Sequence, residues 1–97
     1  MIHSFKNAGT EDIFNGASTK AARKTCPQSL WKRAARKLDQ LDSIKDLEEL
    51  KVPPGNQLEM LKGDRTGQMS IRINDQYRIC FEWTELGAAT VEIVDYH

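Results

Sequence analysis

The segment "VEIVDYH" closes the chain, and its last three residues, Asp95, Tyr96 and His97, follow a strand-like run of Val, Ile and Val. All three side chains can accept or exchange protons, which a fraying, solvated end does not require. Histidine has an unperturbed pKa of roughly 6.5, close to working pH, so His97 is suited to act as acid or base. The chemistry suggested is proton transfer at a site built where the last strand stops.

Few other residues offer chemistry of a different kind. Cys26 and Cys80 lie far apart in unlike contexts, and with His3 and His97 they show no zinc-ligand spacing. They read as free thiols in a reducing cytoplasm, and no metal or cofactor is expected. No apolar run approaches the roughly 20 residues that span a membrane, and "MIHSFK" is too short and polar for a signal peptide. The 14 Lys and Arg residues balance 14 Asp and Glu, which argues against strong nonspecific nucleic-acid binding. The charge is nevertheless segregated. Lys20, Arg23, Lys24, Lys32, Arg33, Arg36 and Lys37 occur with no acid among them, and Asp39, Asp42, Asp46, Glu48 and Glu49 follow. The basic run is either a solvated helix face or a surface for phosphate or an acidic partner.

The elements that must position these groups follow from hydrophobic period. "MIHSFK" predicts a short first strand. "TEDIFNG" predicts one or two helical turns, with Thr10 as N-cap and Gly16 at the end. "NGASTKAARKTC" has no hydrophobic period and is expected to be a mobile loop. Pro27 suits a first helical position, and Leu30, Trp31, Ala34, Leu38 and Leu41 predict an amphipathic helix over 27–41. "SIKDLEEL" predicts another short helix, stopped by "VPPGN". The period then becomes two. "QLEML", "QMSIRI", "QYRICFEW" and "ATVEIVDYH" predict four strands, with "ND" as a tight turn between the second and third. Ile71, Ile73, Tyr77, Ile79, Phe81 and Trp83 face inward, and Ser70, Arg72, Arg78, Cys80 and Glu82 face outward. The expected fold is α+β, a single domain over 1–97 in the order β-α-α-β-β-β-β. Two to three helices pack on one face of a mainly antiparallel sheet. Its other face should carry Glu59, Arg72 and Arg78 into solvent.

Three motifs in order, "LKGDRTGQMSIRIN", "QYRICFEW" and the terminal "DYH", resemble the HigB-type (host inhibition of growth) toxins of the RelE/ParE superfamily. "MIHSFK" and "PPGNQLE" extend the resemblance over nearly the whole chain. It implies a type II toxin of RelE-like fold: a small RNase that cuts mRNA in the ribosomal A site. It also implies neutralisation by a helix-turn-helix antitoxin of HigA type, for which the basic Lys32–Lys37 face is a candidate contact. Carried over by motif, the site residues are Lys62 and Arg65 from "KGDR", Arg78 from "YRI", and Asp95, Tyr96 and His97 from "DYH". The sequence departs from several relatives at Glu59, where they have a histidine before the turn.

Metal-free RNA cleavage would use these groups as follows. His97 serves as acid or base, and the terminal carboxylate beside it is expected to favour imidazolium. Asp95 orients the imidazole or takes the 2′ proton, and Tyr96 stacks or donates a hydrogen bond. Arg65 and Arg78 present planar forks that match phosphate oxygens, Lys62 adds a point charge, and Arg72 binds substrate or is merely solvated. Glu59 is substrate contact, salt-bridge partner or weak base. Arg78 has a structural alternative as cross-strand partner of Glu82 or Glu59. In a regular strand Asp95 and His97 point one way and Tyr96 the other, so one site needs a bend. Trp31 and Trp83 read as core, and His3 as incidental. Two rival functions share the fold, a gyrase-poisoning binder without nuclease activity and an inactive co-repressor; the terminal "DYH" with Arg78 and Arg65 favours the RNase, since a gyrase binder has no use for a proton-transfer group at this point.

Overall fold

The computed structural model describes residues 1–96, so His97 and the role expected of it lie outside the described residues. Among the described residues the α-helices are α1 (Ala8–Phe14), α2 (Lys20–Thr25) and α3 (Trp31–Ser43). The strands are β1 (Glu59–Met60), β2 (Gln68–Arg72), β3 (Tyr77–Thr84) and β4 (Gly87–Asp95). They pair antiparallel in the order β1-β2-β3-β4. This is the α+β architecture the period change implies.

Alternation along the strands builds the core. Ile71, Ile79, Phe81 and Val91 are fully buried, and they meet Ala34, Leu38 and Leu41 from α3 together with Ile13 and Ala22. Leu38 and Leu41 are three apart on α3, so they share the stripe that faces the sheet. Trp31 and Trp83 are partly buried and pack against this cluster. No helix among the described residues is long and apolar enough to cross a membrane.

Four local expectations change in the structure. "MIHSFK" is no regular strand; it makes two isolated parallel bridges to β4, Ile2 to Ala88 and Phe5 to Val91. The cause is an extra residue in β4: the register with β3 shifts between Cys80 and Glu82, and Thr90 takes φ 48°. There the Thr90 N–H donates to the Ser4 hydroxyl at 2.8 Å instead of to a ladder carbonyl. The first helix is capped by Asn7, whose side chain accepts from the Thr10 N–H at 2.9 Å. Thr10 itself is buried, and its hydroxyl accepts from the Ile93 N–H at 3.0 Å. The expected loop contains α2, capped by Thr19. Its small residues let two helices close up, since a Cβ on Gly9 would stand 2.6 Å from the Ala21 carbonyl oxygen. Finally, "ND" is part of a four-residue connection, 73–76, in which the Asn74 side chain accepts from the Gln76 and Tyr77 N–H groups.

Both cysteines are buried and free. Burial pushes the Cys26 thiol up from its ordinary 9.0 to about 11. Between those values the unfolded state holds fewer protons than the folded one, so this group lowers stability as pH rises. Urea midpoints measured from pH 8 to 11 should therefore fall more steeply for the unaltered chain than for Cys26→Ala. Parallel slopes would show that Cys26 titrates alike in both states.

Candidate active site

The sheet face opposite the helices carries Glu59, Ser70, Arg72, Arg78, Cys80 and Glu92, because these residues stand opposite one another in register across β1 to β4. The sequence reading expects this face in solvent. Instead Ser70 and Cys80 are fully buried and Arg78 is only 7% exposed. The chain between β1 and β2, and the turn before β1, fold back over the face. Gln57, in the left-handed region at φ 46°, directs its carbonyl to the Arg78 Nη2 at 2.5 Å. A non-glycine residue held there costs on the order of 1–3 kcal/mol and persists only where its surroundings fix it. Arg65 crosses the same face and donates to Glu92 Oε1 at 2.8 Å and to Gln68 at 3.0 Å.

Arg78 is the centre of the arrangement. Its Nε donates to the Ser70 hydroxyl at 2.8 Å, and Nη2 also reaches the Ser70 carbonyl at 3.4 Å. Neither Glu59 nor Glu82 pairs with it, so the cross-strand salt bridge weighed as an alternative is not formed. Among the described residues its hydrogen-bond partners are all neutral. A buried cation without a carboxylate is costly unless an anion reaches it. The open side of Arg78 meets a cleft of about 340 Å³ lined by Gln57, Glu59, Arg72, Asn74, Asp75 and Tyr96. The Tyr96 ring, 42% exposed, sits 5.9 Å from the Arg78 guanidinium carbon, within cation–π range.

The cleft therefore gathers Glu59, Arg72, Arg78 and Tyr96 out of the eight residues singled out from sequence. Arg72 is held by Asp75, an exposed neighbour three residues on. Arg65 is committed to Glu92, whose hydrogen bond raises the guanidinium further above its ordinary pKa. Lys62 is exposed beside the 3-10 turn Gly63–Arg65 and does not line the cleft. Asp95 stands opposite Tyr77, which packs on the core, and accepts from the Gln76 amide at 3.1 Å. Strand alternation thus separates the Asp95 and Tyr96 side chains, as expected of a regular end. Ser70, Gln57 and Asn74 were not legible as site residues. Their part depends on what folds over the sheet, for which the sequence has no local signal. Among the described residues, no cluster of three or more His, Cys, Asp or Glu side chains is placed to hold a metal ion.

A buried arginine at the floor of a cleft, with an aromatic ring and a second arginine at its rim, can grip an anion. The fold is that of a solved chain in the YoeB–YefM complex from Staphylococcus aureus. The TM-score is 0.61 at 16% identity, covering 100% of this chain and 98% of that one. Residues 3–97 match the family model of RelE-like toxins of the type II toxin–antitoxin system HigB, and the chain belongs to that family. It is 41% identical over 97 residues to Toxin HigB-1 of Vibrio cholerae serotype O1, covering 100% of this chain and 98% of that protein. It is 31% identical over 97 residues to Endoribonuclease HigB of Proteus vulgaris, with both chains fully covered. The family is the toxin half of a toxin–antitoxin system, so the partner class of this chain is an antitoxin.

Proposed function

We propose that this toxin is an endoribonuclease that cuts mRNA in the ribosomal A site by acid–base chemistry without a metal ion. Residues 1–97 act as one domain in the cytoplasm, silenced by a helix-turn-helix antitoxin. The observation that carries the reading is Arg78, a buried cation with neutral partners that opens onto a cleft shared with Arg72, Glu59 and Tyr96. A scissile phosphate seated there meets a preorganised fork fixed by Ser70 and Gln57. Fixed donors stabilise the phosphorane more than the ground state, because they need no reorganisation as charge develops. The Tyr96 ring gives a nucleobase a surface to stack on. Glu59, the carboxylate among the sequence-derived residues that lines the cleft, accepts the 2′ proton as the 2′-oxygen attacks phosphorus. His97 gives its proton to the departing 5′-oxygen, leaving a 2′,3′-cyclic phosphate and a 5′-hydroxyl. Lys62 and Arg65 add positive charge beside the strand.

Charge decides the ribosome's part. With 14 cations against 14 anions, the isolated chain releases few counterions on meeting RNA. The ribosome supplies positioning, which in oriented reactions is worth up to roughly 7–11 kcal/mol of barrier. Purified toxin should cut an mRNA that is being translated and leave the same RNA intact when ribosomes are omitted. The measurement is mapping of RNA 5′ ends in a reconstituted translation system. Efficient cutting of the free RNA would sink the proposal of ribosome dependence.

A further inference from the structure

A second, larger groove adjoins the candidate active cleft. It encloses about 630 Å³ between α3 and the β2–β3 connection, and Arg33, Arg36, Lys37 and Arg72 line it. Arg33, Arg36 and Lys37 stand at i, i+3 and i+4 of α3, so one helix face carries all three. Neither Asp nor Glu lines the groove. Burial first, and then the charges of Arg33, Arg36 and Arg72, lowers the Lys37 pKa, so the four cations feel one another. Their present partners are weak anchors for such charge. Lys37 donates to the Asn56 side-chain oxygen and Arg33 to the Ile73 carbonyl at 3.4 Å. Arg36 has no hydrogen-bond or ion-pair partner among the described residues. Asp75 pairs with Arg72 from the neighbouring cleft.

Arg72 lines both hollows, so the groove continues the cleft. We propose that the groove is a second phosphate subsite, which holds the RNA backbone beside the scissile phosphate through Arg33, Arg36 and Lys37, with Arg72 as the hinge between the two. The inference rests on the RNase reading and adds where the strand runs. Three of the four cations are guanidinium groups, whose forks match phosphate oxygens two at a time. The Arg72–Asp75 pair is exposed and three residues apart, so an arriving phosphate displaces it at little cost. An acidic segment of a protein would also be attracted here, but it gives no reason for the groove to open into the cleft.

The test uses the full chain and two uncleavable all-2′-deoxy probes at low salt: a 12-mer, and a dinucleotide short enough for the cleft alone. Arg33→Gln/Arg36→Gln removes two exposed groove cations, and Arg23→Gln/Lys24→Gln removes two exposed cations of α2 as a charge-matched control. The groove variant should bind the 12-mer at least tenfold more weakly. Its log K against log salt should flatten by about 1.4, two single-strand phosphate contacts. Its dinucleotide binding, and both measurements for the control, should match the unaltered chain. Equal losses in the two variants would reduce the groove to a diffuse field. No 12-mer binding by the unaltered chain, or a groove variant that loses only antitoxin affinity, would also overturn the subsite. Because the probes are not cleaved, failure here is separate from failure of the RNase reading, which is a lack of mRNA cutting by the unaltered chain during translation.

Discussion

Replacing Arg78 with alanine is expected to lower mRNA cleavage by about 10²–10³-fold, the usual loss when one preorganised donor to the transition state is removed. The fold will not be indifferent. Arg78 is 7% exposed and satisfies the Ser70 hydroxyl and the Gln57 carbonyl. The buried Ser70 hydroxyl left unpaired costs about 1–3 kcal/mol, so Arg78→Ala should also unfold at lower urea. The sequence reading, with this face in solvent, expects no such cost. Arg78→Lys separates the two effects. It keeps a cation near the Tyr96 ring but cannot reach Ser70 and Gln57 while presenting a fork to phosphate. A folded Arg78→Lys chain, confirmed by its urea midpoint, should still cut at least tenfold more slowly at matched concentration. If it cuts at the full rate, Arg78 only props the sheet against the Gln57 turn.

Changing His97 to alanine should cost about 10²–10⁴-fold in the same assay, the range for loss of a general acid or base. This expectation comes from the residue type and its place after Asp95 and Tyr96, since His97 lies outside the described residues. The sign of the pH dependence identifies the role. An imidazolium that protonates the 5′-oxygen is lost as pH rises through its pKa, so the unaltered chain slows toward high pH. The His97→Ala chain should lack that limb. A limb that rises with pH would instead make His97 the base and move the acid elsewhere. An unchanged rate for His97→Ala would falsify the proton-transfer role altogether.

How much of this was legible in the sequence differs by element. The α+β order was legible because period is local: Leu38 and Leu41 share a helix stripe whatever lies opposite, and Ile79 and Phe81 share a strand face by alternation alone. Of the residues the cleft gathers, Arg78 and Tyr96 came from motif, and Glu59 and Arg72 from the polar strand face. The α2 helix was not legible. Its evidence is a Thr19 cap and small residues packed against Gly9, and small residues look the same in a loop. Nor was the bulge at Thr90, which costs the first segment its ladder.

Which side chains share a face follows from the order of residues alone, because the two-residue and 3.6-residue repeats are properties of the chain. What covers that face depends on how distant segments fold together. The Gln57 carbonyl lies over Arg78, Arg65 spans to Glu92, and Arg72 joins the cleft to the α3 groove. Arg78 changes from a solvated strand cation to a buried one by a contact across 21 residues. Such a contact is set by chain reversal and close packing, which no local repeat encodes. The cost of burying a charge, and with it the pull on an anion, is fixed at the same step.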